Sequence, residues 1–114
     1  MSATIDGEVF GALRDTTGAD FVRELIDTFL TEAPTILSDL RDSLANGDAE
    51  RFRRAAHSLK SNANTFGALA LGAIAKDLEI SGVAQAKARG PGALGDIETE
   101  YARVSTALAS LRDE

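Results

Sequence analysis

Between Phe21 and Leu44, apolar side chains recur at Phe21, Leu25, Phe29, Ala33, Ile36, Leu40 and Leu44, in steps of four and three. A strand alternates every two residues, so this spacing brings the set to one side only if the segment is helical. Val22, Ile26, Leu30 and Leu37 widen the stripe into a band broad enough to face a core. Pro34 falls inside the run. A proline in a helix interior removes a hydrogen bond and costs about 3 kcal/mol, so the spacing predicts one bent helix over about 20–45 or a restart near Pro34. The run stops at "ANGD", where Asn-Gly ends a helix and Asp48 is placed to cap the next.

The rest of the chain repeats the pattern. A short first helix is predicted from about Asp6 to Asp15, with Val9, Phe10 and Leu13 on one side, before a break at "TTGAD". A third long segment runs from about Ala49 to Phe66, and Gly67 marks a tight turn. A fourth helix is predicted from about Ala68 into the 80s, with Leu69, Ile74 and Leu78 as its larger apolar residues. "ARGPGALGD" (88–96) reads as a loop. In the last segment Leu94, Ile97, Tyr101, Val104, Leu108 and Leu111 form a heptad seam. Four long amphipathic helices on short turns predict an all-α fold, an antiparallel four-helix bundle with a short extra N-terminal helix. The 114 residues fit a single domain over 1–114, of a size that can stand as a monomer.

Several function classes are disfavoured by what the chain lacks. There is no cysteine and one histidine, so thiolate and multi-histidine metal sites are excluded, and no acidic run has calcium-loop spacing. A metal-dependent bundle enzyme would need inward Glu-x-x-His pairs, which the sequence does not offer. No Gly-rich nucleotide loop is present. No apolar run is long enough to span a membrane. The start, "MSATIDGEVFGAL", is not built like a secretory signal, so the cytoplasm is the expected location. A net charge of −6 argues against nucleic-acid binding. That charge is unevenly spread: Arg51 to Lys76 holds five basic residues and no acid, the remainder 7 basic and 18 acidic. The basic island surrounds the lone histidine, although chance clustering is an alternative in so short a chain.

On an ideal helical wheel, Phe52, Ala55, Leu59, Ala63 and Phe66 centre about 200° from His57. The histidine therefore points outward. A solvated histidine without a task is one reading. Two neighbouring features favour another. Outer positions around it are small, Ser61, Asn64 and Ala68 with Gly67 at the turn, where long charged side chains are usual; small ones let another protein's backbone approach. Lys60 lies one turn on, and Arg53 and Arg54 one turn back, where cations would stabilise an anion added to the ring. Neutral imidazole is a competent nucleophile, and a histidine in water is largely neutral at pH 7. The set suits acceptance of a phosphoryl group. At least one of the two arginines can equally be a solvated helix-face residue.

If the hairpin tip is near residues 67 and 68, the position opposite His57 falls at about 77–79, where Glu79 stands. A carboxylate there could accept a hydrogen bond from Nδ1–H and leave Nε2 free to attack. An ordinary exposed glutamate is the alternative.

"AAHSLKSNANTFGA" (55–68) resembles the signature of histidine-containing phosphotransfer (HPt) domains, roughly H-x-L-K-G/S-S/x-A/S-x-x-x-G-A. His57, Leu59, Lys60, Ser61, Gly67 and Ala68 match it, and the helix order fits over nearly the whole chain. Many members have glycine where Ser61 stands, and Asn62 and Asn64 replace commoner serine or alanine, which bears on partner preference. The resemblance implies that His57 takes a phosphoryl group on Nε2 from a receiver-domain aspartyl phosphate and passes it to another receiver. Lys60 would help hold the group, Ser61, Asn64, Gly67 and Ala68 would form the docking surface, and Glu79 would orient the ring. Partners would be receiver domains or a hybrid histidine kinase. No cofactor of its own is implied: the partner would bring Mg²⁺ and the acidic pocket, making this chain a phosphocarrier without kinase activity. The competing expectation is a helical adaptor that binds such partners without carrying phosphate.

Overall fold

The structure is a computed structural model and describes residues 4–113. It contains five α-helices, α1 (Gly7–Thr17), α2 (Ala19–Asn46), α3 (Ala49–Phe66), α4 (Leu69–Ala88) and α5 (Gly95–Arg112), with a 3₁₀ turn over Pro91–Leu94 before the last. There is no strand among the described residues. The four long helices form the predicted bundle, and α1 is the short extra helix, packed against α2 and α3.

Each boundary has a local cause. The Asp6 carboxylate accepts from the N–H groups of Glu8 and Val9 at 2.9 and 3.1 Å, which starts α1. α1 runs to Thr17, two residues beyond the expected end. α2 is one continuous helix through Pro34, whose ring is exposed, so no restart occurs. α2 and α3 both end in glycines with left-handed φ, Gly47 at 71° and Gly67 at 84°. In each case the following N–H reaches back to close the last turn: Asp48 to Ser43 O at 2.9 Å, Ala68 to Ala63 O at 2.9 Å. Asp48 then caps α3 through Arg51 N–H at 3.1 Å, as its position predicted.

The core is built from one face of each helix. Val22, Ile26, Phe29, Ala33, Leu37 and Leu40 are the buried apolar positions of α2. The band is therefore rotated from the predicted centre: Phe21 is 49% exposed, and Leu25, Ile36 and Leu44 are half-buried at its edge. Phe29 meets Phe66 of α3 and Tyr101 of α5, with ring centroids 5.4 and 6.0 Å away, joining three helices at one point. Ile97, Val104 and Leu108 bury the α5 seam, with Tyr101 and Leu111 at its margin. On α4, Leu78 and Leu71 are buried, while Leu69, one of its larger apolar residues, stands 47% exposed at the first turn.

The closest pairing is α3 on α4. Buried alanines and a glycine line it: Ala56 and Ala63 on α3, Gly72 and Ala75 on α4. A Cβ at Gly72 would stand 2.0 Å from Oδ1 of Asn64, so the Asn64 side chain occupies the space a side chain at 72 would need. α4 is not regular throughout. Gly82, with φ 78° and ψ 174°, breaks it, a feature absent from the sequence expectation.

Gly67 and Ala68 were expected on the docking surface. The structure corrects this: both are buried, Ala68 completely. The chain ahead of α1 lies against Gly67, with Asp6 N–H donating to Gly67 O at 2.8 Å. A Cβ on Gly67 would meet Asp6 O at 2.9 Å and Val9 Cβ at 3.1 Å.

Two substitutions test this packing. Leu59→Ala, at a fully buried position, should lower unfolding free energy by about 2–5 kcal/mol in urea titrations. Gly67→Ala should cost about 2 kcal/mol, because left-handed backbone and the Asp6 carbonyl both oppose a side chain. Thermal melts unchanged from wild type would contradict the account of either residue.

Candidate functional site

α3 presents His57 on its outer face, diametrically away from Leu59 and Phe66, with its side chain 56% exposed. Across the α3–α4 seam, Oε2 of Glu79 lies 2.8 Å from His57 Nδ1. The other carboxylate oxygen, Oε1, lies 2.8 Å from Nζ of Lys60. One carboxylate thus bridges two side chains a single turn apart on α3. The geometry follows from the hairpin: Gly67 reverses the chain, and counting equally from the turn sets Glu79 beside His57.

This contact decides the tautomer. An ionised carboxylate only accepts hydrogen bonds, so a neutral ring meeting it at Nδ1 carries its proton there. Nε2 then keeps its lone pair, and it has no hydrogen-bond partner among the described residues. Glu79 is held ionised. The hydrogen bond from the Lys60 ammonium is the largest influence lowering its pKa; partial burial opposes it, and the His57 hydrogen bond adds to the lowering.

Arg53, Arg54, Ser61 and Asn64 share the exposed side of α3 with His57. Neither arginine makes an ion pair with a described residue. Asn64 lies over Gly72, at the seam between the helices. The basic island is smaller in space than in sequence. Arg51 turns toward α2, where its guanidinium meets Asp39 at 2.6 Å and Asp42 at 3.8 Å. Lys60 is engaged by Glu79.

The Lys60–Glu79 pair was not foreseen, although both residues were singled out. Turn counting aligns backbones and says nothing of how far a lysine reaches. Among the described residues no three His, Cys, Asp or Glu side chains are grouped to hold a metal ion. No helix of the described residues is long and apolar enough to cross a membrane.

Comparison with known proteins places the fold and the family. No curated protein matches the chain. The structure is similar to the crystal structure of histidine-containing phosphotransfer protein B (HptB) from Pseudomonas aeruginosa PAO1, with a TM-score of 0.88 and 28% identity, covering 99% of this chain and 97% of that one. The family model described as the Hpt domain matches residues 24–113, a span that starts in α2 and takes in the whole of α3, α4 and α5. The chain therefore belongs to the Hpt domain family and is a histidine phosphotransfer protein of phosphorelays, an intermediate in phosphoryl transfer.

Proposed function

We propose that His57 is the phosphoryl acceptor, and that the chain acts as one domain, a monomeric cytoplasmic phosphocarrier without kinase activity of its own. As an Hpt-family protein its partners are receiver domains and the histidine kinases that work with them. The observation that carries the reading is the Nδ1–Glu79 contact, which leaves the Nε2 lone pair on an exposed ring.

The transfer balances simply. The Nε2 lone pair attacks phosphorus of the receiver's aspartyl phosphate. The P–O bond to the aspartate breaks, and its electron pair returns to that carboxylate. His57 keeps its Nδ1 proton, so the phosphorylated ring is cationic, and Glu79 faces the new charge at 2.8 Å. In onward transfer a second aspartate attacks phosphorus, the P–N bond breaks, and its pair returns to Nε2. Lys60, one turn away, and Arg53 and Arg54 on the outer face supply positive charge toward the phosphoryl oxygens. Ser61 and Asn64 keep the outer face low for a docking partner. Mg²⁺, which neutralises phosphoryl oxygens in such transfers, is assigned to the receiver, because the carboxylate nearest His57 is already committed to Lys60 and the ring.

Incubation with a phosphorylated receiver and Mg²⁺ should label wild type and not His57→Gln, with label lost in acid and kept in alkali. Label persisting in the variant would refute the site. Label absent from folded wild type across several receivers would favour the adaptor reading.

Glu79 also predicts a pH dependence. Its folded pKa lies below the usual 4.5. Its contribution to stability is therefore complete above that value and is lost as pH falls through the folded pKa. Wild type should lose more melting temperature than Glu79→Gln on acidification below about pH 4.5. Parallel curves would show that the carboxylate is not held by Lys60 and His57.

A further inference from the structure

The break in α4 lies three residues after Glu79. A residue with φ 78° and ψ 174° cannot continue the i to i−4 ladder, so at Gly82 the helix is interrupted. The turn that carries Glu79 is thus a helix end, the part of a helix most given to fraying. Its side chain nevertheless has to hold two short contacts, to His57 Nδ1 and Lys60 Nζ.

Arg89, beyond the break, reaches back across it. Its Nη1 lies 3.0 Å from Oδ2 of Asp77, and its Nη2 donates to Oγ of Ser81 at 2.8 Å. Asp77 and Ser81 bracket Glu79 on either side. One guanidinium therefore ties both flanks of the Glu79 turn to the segment after Gly82. The planar fork of arginine suits this, since two of its nitrogens address two partners at once. As surface ion pairs these contacts add little to global stability, and their placement concerns one turn of backbone.

We propose that Arg89 is a positioning residue for phosphotransfer: by holding Asp77 and Ser81 across the Gly82 break, it fixes the turn that presents Glu79 to His57. The proposal rests on the reading of Glu79 as the group that orients the His57 ring. Arg89 touches neither the ring nor the phosphoryl group.

The test uses the full chain with Arg89→Ala, Arg89→Lys, Ser81→Ala and, as a reference, Glu79→Ala. Two readouts are taken: the transfer rate from a phosphorylated receiver, and the fraction of His57 in the Nδ1–H tautomer from ¹⁵N shifts. Arg89→Ala should slow transfer roughly three- to tenfold, less than the roughly ten- to hundredfold typical of removing an orienting partner outright. The Nδ1–H fraction should fall with it, while the melting temperature stays near that of wild type. Arg89→Lys should recover part of both losses, because one ammonium replaces only one arm of the fork. Ser81→Ala, which removes one arm from the other side, should give a smaller loss in the same direction and serves if Arg89→Ala fails to fold. If Glu79→Ala is impaired while Arg89→Ala and Ser81→Ala keep wild-type rate and tautomer, the positioning role is wrong and the Glu79 reading stands. If Glu79→Ala itself matches wild type, the reading of Glu79 fails and the positioning role falls with it.

Discussion

The close approach of α3 to α4 is the constraint from which the site follows. Small buried residues, Ala56 and Ala63 on one side and Gly72 and Ala75 on the other, let the helices meet with little between them. The left-handed Gly67 turns the chain in the fewest residues that still close the end of α3. With axis separation and turn both set, the register is set, and Glu79 arrives beside His57 without any loop having to order itself. A bulkier seam would push the carboxylate away from the ring. Burying an apolar face on one side of α3 and holding His57 exposed beside Glu79 on the other are thus two results of one packing arrangement.

Much of this was legible before any coordinates. The outward direction of His57 follows from where Phe52, Leu59 and Phe66 lie on the same helix, because amphipathicity is a property of a single segment. Glu79 was reachable by counting from the turn, since an antiparallel hairpin pairs positions symmetrically. What escaped depends on other segments or on side-chain reach. Gly67 reads as a small outer residue because the wheel of α3 knows nothing of Asp6 and Val9, which come from far earlier in the chain and lie against it. Phe21 and Val22 are adjacent in sequence, and only the seating of α2 on its neighbours chose the smaller one for the core. The stretch around Gly82 has the composition of a continuing helix, and its break shows only in the backbone angles.

The charge distribution carries a similar lesson. Five basic residues in sequence suggested one positive surface, but two of them face acids. Arg51 meets Asp39 and Asp42 on α2, and Lys60 meets Glu79 on α4. The positive character left for a partner resides chiefly in Arg53, Arg54 and Lys76, all exposed. The exposed positive charge therefore lies at the periphery of the histidine, while the charge nearest the ring is balanced locally.

A carrier differs from a storage site in having to release what it takes, and the shared carboxylate bears on that balance. A carboxylate facing the ring alone would stabilise the cationic phosphorylated imidazole with its whole charge, deepening the well in which the phosphoryl group rests. Glu79 instead divides its two oxygens between His57 and Lys60. On the proposed assignment of His57 as acceptor, the lysine draws off part of that attraction, so the phosphorylated ring is held with a moderated grip. On the same assignment, the length of a lysine side chain one turn along α3 enters the group-transfer potential of the histidine.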